Sequence, residues 1–306
     1  MSLQSIQIKN FKSIVDINIK NISSFSVFAG SNGSGKSNFF EALEFIRDVI
    51  RNGTQEAIKK HNGYENIHSH KLRNINAKRF YAKLTLILEE DSYSYEMEIK
   101  ELDKGGSLLE KVIKNGTVSA KRTPGNNLTL NGIKQEIEYS EKETILKLIS
   151  KEAKELLEFL SAIERYQIDP TKAREADDLF TSETLDTYAS NLSTVLNKLS
   201  KDKNVIEDIM DAMQMIVPGL EKVSIQKESL NSKSYLVFKE TGIKRKFPAG
   251  LISDGTIYAL AMLAIINSNT KGIVLIEEPE RGLNPKAIAE LVEFFRDKSE
   301  KFNIFI

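Results

Sequence analysis

Residues 30–37 read Gly-Ser-Asn-Gly-Ser-Gly-Lys-Ser, a complete phosphate-binding loop of the form GxxxxGK[ST]. Phosphate chemistry needs those types at that spacing. Gly30, Gly33 and Gly35 let the backbone turn tightly, so that N–H groups point inward at an anion. Ser31, Asn32 and Ser34 fill the positions between them, and Asn38 follows. Lys36 would reach the β- and γ-phosphates, and the Ser37 hydroxyl would bind Mg²⁺. A second set lies far downstream, where the apolar run Ile273-Val274-Leu275-Ile276 ends in Glu277-Glu278. Glu277 would hold Mg²⁺, directly or through its water. Glu278 would polarise the water that attacks the γ-phosphate. The third set is Ser253-Asp254-Gly255-Thr256 at the start of an apolar helix. A serine hydroxyl, a glycine backbone and a helix N-terminus together make a second anion site.

Particular elements must position these groups. Phe25 to Ala29 is short and apolar and reads as a buried strand. From Asn38 to Ile50, Phe39, Leu43, Ile46 and Ile50 recur at helical spacing. Strand, loop and helix therefore follow one another as the motif requires. Downstream, Ile273 to Ile276 reads as a buried strand, Pro285 to Lys298 as a helix and Phe302 to Ile306 as another strand. That βαβ unit implies a parallel sheet. In such a sheet the acidic strand can lie beside the loop strand, with both C-terminal ends facing one crevice.

The remaining chain is mixed. Leu3 to Asn10 and Ile14 to Ile19 alternate and read as paired strands. Residues 51–78 are polar, with Gly53, Gly63 and all three histidines, and read as a loop or short helix. Phe80 to Glu89 and Ser92 to Lys100 suggest an antiparallel hairpin. Further strands are expected around 108–113 and 126–138, with hairpin turns at Asn115-Gly116 and Asn131-Gly132. Residues 141–165 and 186–216 carry apolar residues at helical spacing, so 141–217 reads as an insertion of two or three helices. Short strands return at Val223 to Ile225 and Tyr235 to Lys239. The expected division is 1–140 with the phosphate loop and antiparallel strands, 141–217 helical, and 218–306 with the acidic strand.

Composition narrows the possible settings. With 306 residues, 41% of them hydrophobic, the chain can bury one large domain or two lobes. Lys+Arg and Asp+Glu both total 43, so the whole-chain charge does not draw it to DNA or membranes. Local patches could: Lys244-Arg245-Lys246, or Lys71, Arg73, Lys78 and Arg79, could touch a phosphate backbone. The absence of cysteine excludes disulfides and Cys-type zinc sites and fits a reducing cytosol. His61, His68 and His70 are too few for zinc and read as surface residues. The N-terminus lacks the basic start and apolar core of a signal peptide. The longest apolar stretch, Ile257 to Ile266, is too short to span a bilayer. The expected location is the cytoplasm, with no membrane partner.

The order of these motifs, continued by Pro279-Glu280-Arg281-Gly282-Leu283-Asn284-Pro285, resembles the ABC-type ATPases of the RecF/SMC branch. The opening Ile8-Lys9-Asn10-Phe11-Lys12-Ser13 has the same likeness. The resemblance is greatest to bacterial AAA-family ATPases that include the ATPase halves of OLD-family nucleases and the PtuA-like subunits of antiphage systems. It covers residues 1–50 and 250–306 strongly. It covers the middle loosely, through Tyr166-Gln167-Ile168-Asp169-Pro170 and Asn191-Leu192 to Pro218.

The resemblance implies an α/β fold. This would be an ABC-type P-loop ATPase head with a mixed central sheet, an antiparallel β subdomain and a helical insertion. It implies that ATP and Mg²⁺ are bound and ATP is hydrolysed, with Lys12 also reaching the nucleotide. It implies a head-to-tail dimer. Ser253 to Thr256 of one subunit would close over the γ-phosphate held by the Lys36 loop of the other, with residues 280–285 along the seam. Such a split site makes hydrolysis depend on dimerisation. The implied role is control of a nuclease or other effector, as a downstream domain or separate protein, in antiphage defence or DNA repair, with DNA as a further contact. The alternative is an ATP-binding scaffold with little hydrolysis that assembles a complex. The chain also departs from the pattern. Residue 277 is Glu where many such ATPases carry Asp. The glutamine that senses Mg²⁺ is open between Gln135 and Gln167. The family places a switch histidine just after the strand at which this chain stops, so the native protein is expected to continue past Ile306.

Overall fold

The computed structural model describes residues 1–306 except 32, 72–77, 137, 179–181, 183, 229–231 and 270. The chain forms two compact units. The first comprises Met1–Glu164, Lys271–Ile273 and Phe305, and the second Arg165–Thr270, Val274–Ile304 and Ile306.

The first unit is built on an antiparallel sheet. Its strands are β1 (Ser2–Phe11), β2 (Ile14–Lys20), β4 (Phe80–Leu88), β5 (Asp91–Lys100), β6 (Ser107–Lys114), β7 (Thr117–Thr123), β8 (Asn127–Leu130) and β9 (Ile133–Gln135). They lie in the order β2-β1-β4-β5-β6-β7-β8-β9. The period-two pattern read from the sequence decides which face is buried. Phe80, Ala82, Leu84, Leu86 and Leu88 of β4 face inward, as do Tyr93, Tyr95, Met97 and Ile99 of β5. On the other face Lys83 meets Glu96 at 2.7 Å and Lys9 meets Asp16 at 2.9 Å, each across a strand pair. Both expected Asn-Gly turns occur. Asn115 and Gly116 have φ of 50° and 79°, and Asn131 and Gly132 have 49° and 79°, the two positive values that a tight hairpin requires.

Helix α1 (Lys36–Lys60) packs its apolar face against this sheet, with the Phe45 ring 5.8 Å from Phe11 and 5.1 Å from Phe80. It runs well past Ile50, into the stretch read as a loop or short helix, and it is not straight. Gly53 has φ 82° and ψ 169°, a conformation open essentially to glycine alone. Beyond it the chain folds back. Lys60 Nζ and His61 Nε2 lie 2.9 and 3.0 Å from the Asp48 carboxylate. Twelve residues of straight helix would separate Asp48 and Lys60 by about 18 Å, so the break at Gly53 makes this contact possible. His61 and His68 are therefore not the surface residues expected. His61 is held on Asp48, and the half-buried His68 ring stacks on Tyr64 at 4.5 Å. His70 is exposed. Helix α2 (Lys154–Ser161) packs against α1.

The second unit is organised around α6 (Asp254–Ser268), buried from Thr256 to Ile266. A helix that is apolar on all sides must be surrounded. Here α3 (Pro170–Ala173), α4 (Leu192–Leu199) and α5 (Lys203–Ile216) pack on it. A small sheet of β11 (Asp177–Asp178), β13 (Lys233–Glu240), β12 (Leu220–Glu228) and β14 (Lys246–Pro248) adjoins α4. The acidic strand β15 (Ile273–Ile276) is wholly buried, and its neighbours are β10 (Ile163–Tyr166) and β16 (Asn303–Phe305). With both sides taken, it does not lie directly beside the loop strand. Helix α7 (Pro285–Lys298) joins β15 to β16, so the expected βαβ unit is present.

Residues 141–217 are not one helical body. Those up to Glu164 belong to the first unit and those from Arg165 to the second, and strands β10 and β11 lie among the helices.

Candidate nucleotide site

In the first unit, β3 (Phe25–Ser26) leads into the phosphate loop. It is shorter than the strand read over 25–29, but the residues after it are anchored. The Phe28 ring lies 5.0 Å from Phe39, 5.7 Å from Phe40 and 5.4 Å from Phe305. Gly33 and Gly35 have φ of 80° and 100°, which favours glycine at both. A Cβ on Gly30 would lie 2.9 Å from Ser34 Oγ. Ser34 N–H donates to the Ser31 carbonyl at 3.1 Å, closing a turn within the loop. Asn32 lies outside the described residues.

Gly35 stands at the N-cap of α1 and offers no side chain, and the first turn contains no acidic residue. The partial positive charge of the helix start is thus left for an anion. Lys36 Nζ donates to the Gly30 and Ser31 carbonyls at 2.5 and 3.2 Å, which keeps the ammonium over the loop. Ser37 and Asn38 follow on the first turn. Asn38 Nδ2 donates to Ser13 Oγ at 2.6 Å, and the same Oγ lies 3.1 Å from where a Cβ on Gly35 would stand. The turn between β1 and β2 therefore packs on the loop. Lys12 in that turn has its ammonium on Glu41 of α1. Lys12, Ser13, Asn38, Glu65, Asn66 and Lys71 border a cleft of about 400 Å³.

The second unit holds the carboxylates and the serine. Glu277 and Glu278 follow β15 directly, and Glu277 N–H donates to the Tyr166 carbonyl at 3.0 Å. The Glu277 carboxylate is not isolated: Arg165 Nε donates to its Oε1 at 2.7 Å, and the two side chains are only 10% and 12% exposed. Glu278 has φ 51°, in the left-handed region. Tyr258 of α6 donates its hydroxyl to the carbonyls of Glu277 and Glu278, at 2.8 and 2.7 Å. At the start of α6, Ser253 is the N-cap and its Oγ accepts from Thr256 N–H at 3.2 Å. The helix begins at Asp254, two residues earlier than read. Asp254 pairs with Arg174. Gly255 packs directly on the turn after the carboxylates, where a Cβ would lie 2.2 Å from the Gly282 carbonyl oxygen.

The structure thus groups Gly30, Ser31, Gly33, Ser34, Gly35, Lys36, Ser37, Asn38 and Lys12 in the first unit. It groups Ser253, Asp254, Gly255, Glu277 and Glu278 in the second. Gln167 directly follows the Tyr166 that bonds Glu277, whereas Gln135 lies on β9 at the edge of the large sheet, its amide on the Ile133 carbonyl. Of the expected basic patches, Lys78 pairs with Asp103 and Arg79 with Glu98, and Arg73 lies outside the described residues. Lys244, Arg245 and Lys246 are exposed.

Two residues escaped the sequence reading. Arg165 stands just before the Tyr166 run that was singled out. Tyr258 is the one hydroxyl between Ile257 and Ile266, and that oddity was its signal. Ser37 and Glu277 supply hard oxygen donors, which suit Mg²⁺. Among the described residues no three His, Cys, Asp or Glu side chains cluster to hold a metal.

Residues 25–306 match the family described as "AAA domain, putative AbiEii toxin, Type IV TA system". The chain belongs to this family. A curated relative of the AAA-domain chain is an "ATP/GTP phosphatase" from Helicobacter pylori, 22% identical over 298 residues, covering 92% of this chain and 77% of that protein. Among solved structures, an SmcHead bound to the C-winged helix domain of ScpA matches with a TM-score of 0.60 at 14% identity, covering 100% of this chain and 89% of that one. The SMC head domain of Thermotoga maritima matches with a TM-score of 0.51 at 15% identity, again over 100% and 89%. The fold is that of an SMC-type head, and the family match together with the phosphate loop makes the chain a P-loop AAA-domain protein. Among the described residues no helix is long and apolar enough to cross a membrane.

Proposed function

We propose that this chain is an ATP-hydrolysing dimerisation module that controls an effector. The observation that carries the reading is the loop itself: left-handed Gly33 and Gly35, Lys36 folded over the loop carbonyls, and an uncapped helix start behind them. Loop N–H groups and Lys36 bind the β- and γ-phosphates. Ser37 and Glu277 would hold Mg²⁺, which when bound neutralises charge on the phosphates. Glu278 orients and deprotonates the attacking water. Gln167, next to the strand that pairs with the acidic one, is the favoured Mg²⁺-sensing residue. Ser253 to Thr256 of a second copy closes over the γ-phosphate in a head-to-tail dimer, so turnover requires two chains. The effector is a nuclease or other activity, as a downstream domain or separate protein, in antiphage defence or DNA repair. The family's description, which speaks of a toxin, supports that choice.

The test measures ATP turnover and oligomeric state together. Glu278→Gln should lower kcat by about a hundredfold or more and accumulate as an ATP-bound dimer. Lys36→Ala should lose both nucleotide affinity and ATP-driven dimerisation. Wild-type turnover in Glu278→Gln would refute the assignment of the base. ATP-dependent dimers without turnover in the unmutated protein would favour the scaffold instead.

A further inference from the structure

Glu278 needs help to stay where it is. Its φ of 51° lies where side-chain-bearing residues other than Asn and Asp are uncommon. What holds it is a hydroxyl on a different element. Tyr258 reaches from α6 to both carbonyls of the turn, Glu277 at 2.8 Å and Glu278 at 2.7 Å. The phenol is 1% exposed. Its pKa is raised by burial first and then by the neighbouring Glu278 and Glu280 charges, so it stays a donor at neutral and moderately alkaline pH. Packing alone does not call for an oxygen here. The residues from Ile257 to Ile266 are otherwise apolar, and a phenylalanine would fill the same ring volume.

A second contact joins the same two pieces. Gly255, in the first turn of α6, approaches Gly282 so closely that a Cβ would stand 2.2 Å from its carbonyl oxygen. Ser253, three residues before Thr256, caps the same turn. The start of α6 and the turn bearing Glu278 are therefore tied at two points, one polar and one by backbone contact.

We propose that Tyr258 is a positioning residue for Glu278: its hydroxyl locks the acidic turn onto α6, so that displacement of the α6 N-terminus is transmitted to the Glu278 carboxylate. The inference rests on the reading of Glu278 as the base. It goes beyond that reading by naming how the helix that begins at Ser253 and the base of the same chain act as one piece.

The test is Tyr258→Phe in the full chain, which keeps the ring and removes the oxygen. The expected result is a kcat lower by about tenfold, the rate equivalent of one lost hydrogen bond, with the Kd for ATP unchanged. Hydrogen–deuterium exchange should quicken at the amides of residues 277–283 and stay the same in the phosphate loop. In a Glu278→Gln background the same substitution should leave the residual rate unchanged while lowering the melting temperature as it does in the wild type. A purely structural tyrosine would instead lower both rates alike. Unchanged kcat in Tyr258→Phe, an equal loss in both backgrounds, or unchanged exchange in the turn overturns the proposal. An inactive Glu278→Gln with an unaffected Tyr258→Phe refutes this inference alone. An active Glu278→Gln refutes the assignment of the base, and this inference with it.

Discussion

Asp48→Asn tests what holds α1, the helix whose start forms part of the phosphate loop. Asp48 is fully buried and gathers Arg47 (Nη2 to Oδ1 2.8 Å), Lys60 (2.9 Å) and His61 (3.0 Å). Asn keeps the shape and removes the charge. Removing one partner of a buried ion pair costs about 3–5 kcal/mol. Arg47 would keep Glu44 at 3.0 Å and Glu164 at 2.9 Å, so the lower end, about 3 kcal/mol, applies. For a unit of this size that is a fall of about 6–12 °C in melting temperature at pH 7. The pH dependence has a definite sign. Burial alone would raise the Asp48 pKa, but His61, Arg47 and Lys60 outweigh it and hold it below its usual 3.8. The stabilisation is therefore fully present above that value and is lost as pH falls through the depressed folded pKa. The melting curves of wild type and Asp48→Asn should run apart and parallel between about pH 5 and 8 and converge only in strong acid. A difference under about 2 °C at pH 7, or convergence already near pH 6, would mean that the Asp48 charge does not hold α1 in this way.

Two glycine substitutions probe the backbone that frames the site. Gly53→Ala places a Cβ 2.9 Å from the Lys142 carbonyl oxygen in a backbone conformation that alanine rarely adopts. The strain and the overpacking together should cost about 2–4 kcal/mol, read by urea denaturation, and a cost below about 1 kcal/mol would mean that the break in α1 is not fixed by this residue. Gly255→Ala drives a Cβ to 2.2 Å from the Gly282 carbonyl oxygen, and neither side is a flexible side chain. ATP turnover should fall while nucleotide affinity, which belongs to the loop in the other unit, is retained; a variant with normal turnover would show that the 280–284 turn can shift without consequence.

The phosphate loop was legible because its information is local. Glycines at fixed offsets impose positive φ, and one lysine opens the helix. The acidic strand and α6 were legible for a related reason, since wholly apolar runs bounded by Glu277-Glu278 and by Ser253 admit few placements. The stretch after Ile50 was not. Gly53 and the polar residues around it look like a loop, and only the contact of Lys60 and His61 with Asp48, twelve and thirteen residues back, turns it into a folded-back helix. Residues 141–165 failed differently. Ile163 fits helical spacing, but a short apolar run fits a strand equally well, and 163–166 is β10 beside the acidic strand. Arg165 was invisible as a partner of Glu277 because 112 residues separate them.

The two helices whose N-termini carry the candidate anion sites are restrained in different ways, and the difference follows from their sequences. Helix α1 has one apolar face, so it is located by the sheet and by Asp48 at its middle, which gathers Arg47 beside it and Lys60 and His61 folded back from beyond Gly53. Helix α6 is apolar all round and is located by α3, α4, α5 and α7 packed on it, and Ser253 caps its first turn. A helix held by surrounding apolar packing resists bending within itself and moves, when it moves, as a unit. The acidic turn rides on that unit through Tyr258 and Gly255. On the proposed reading, in which Glu278 is the base and a second copy meets Ser253 to Thr256, the carboxylate is then better fixed relative to α6 than one on a free loop would be, as a site completed by a second copy requires.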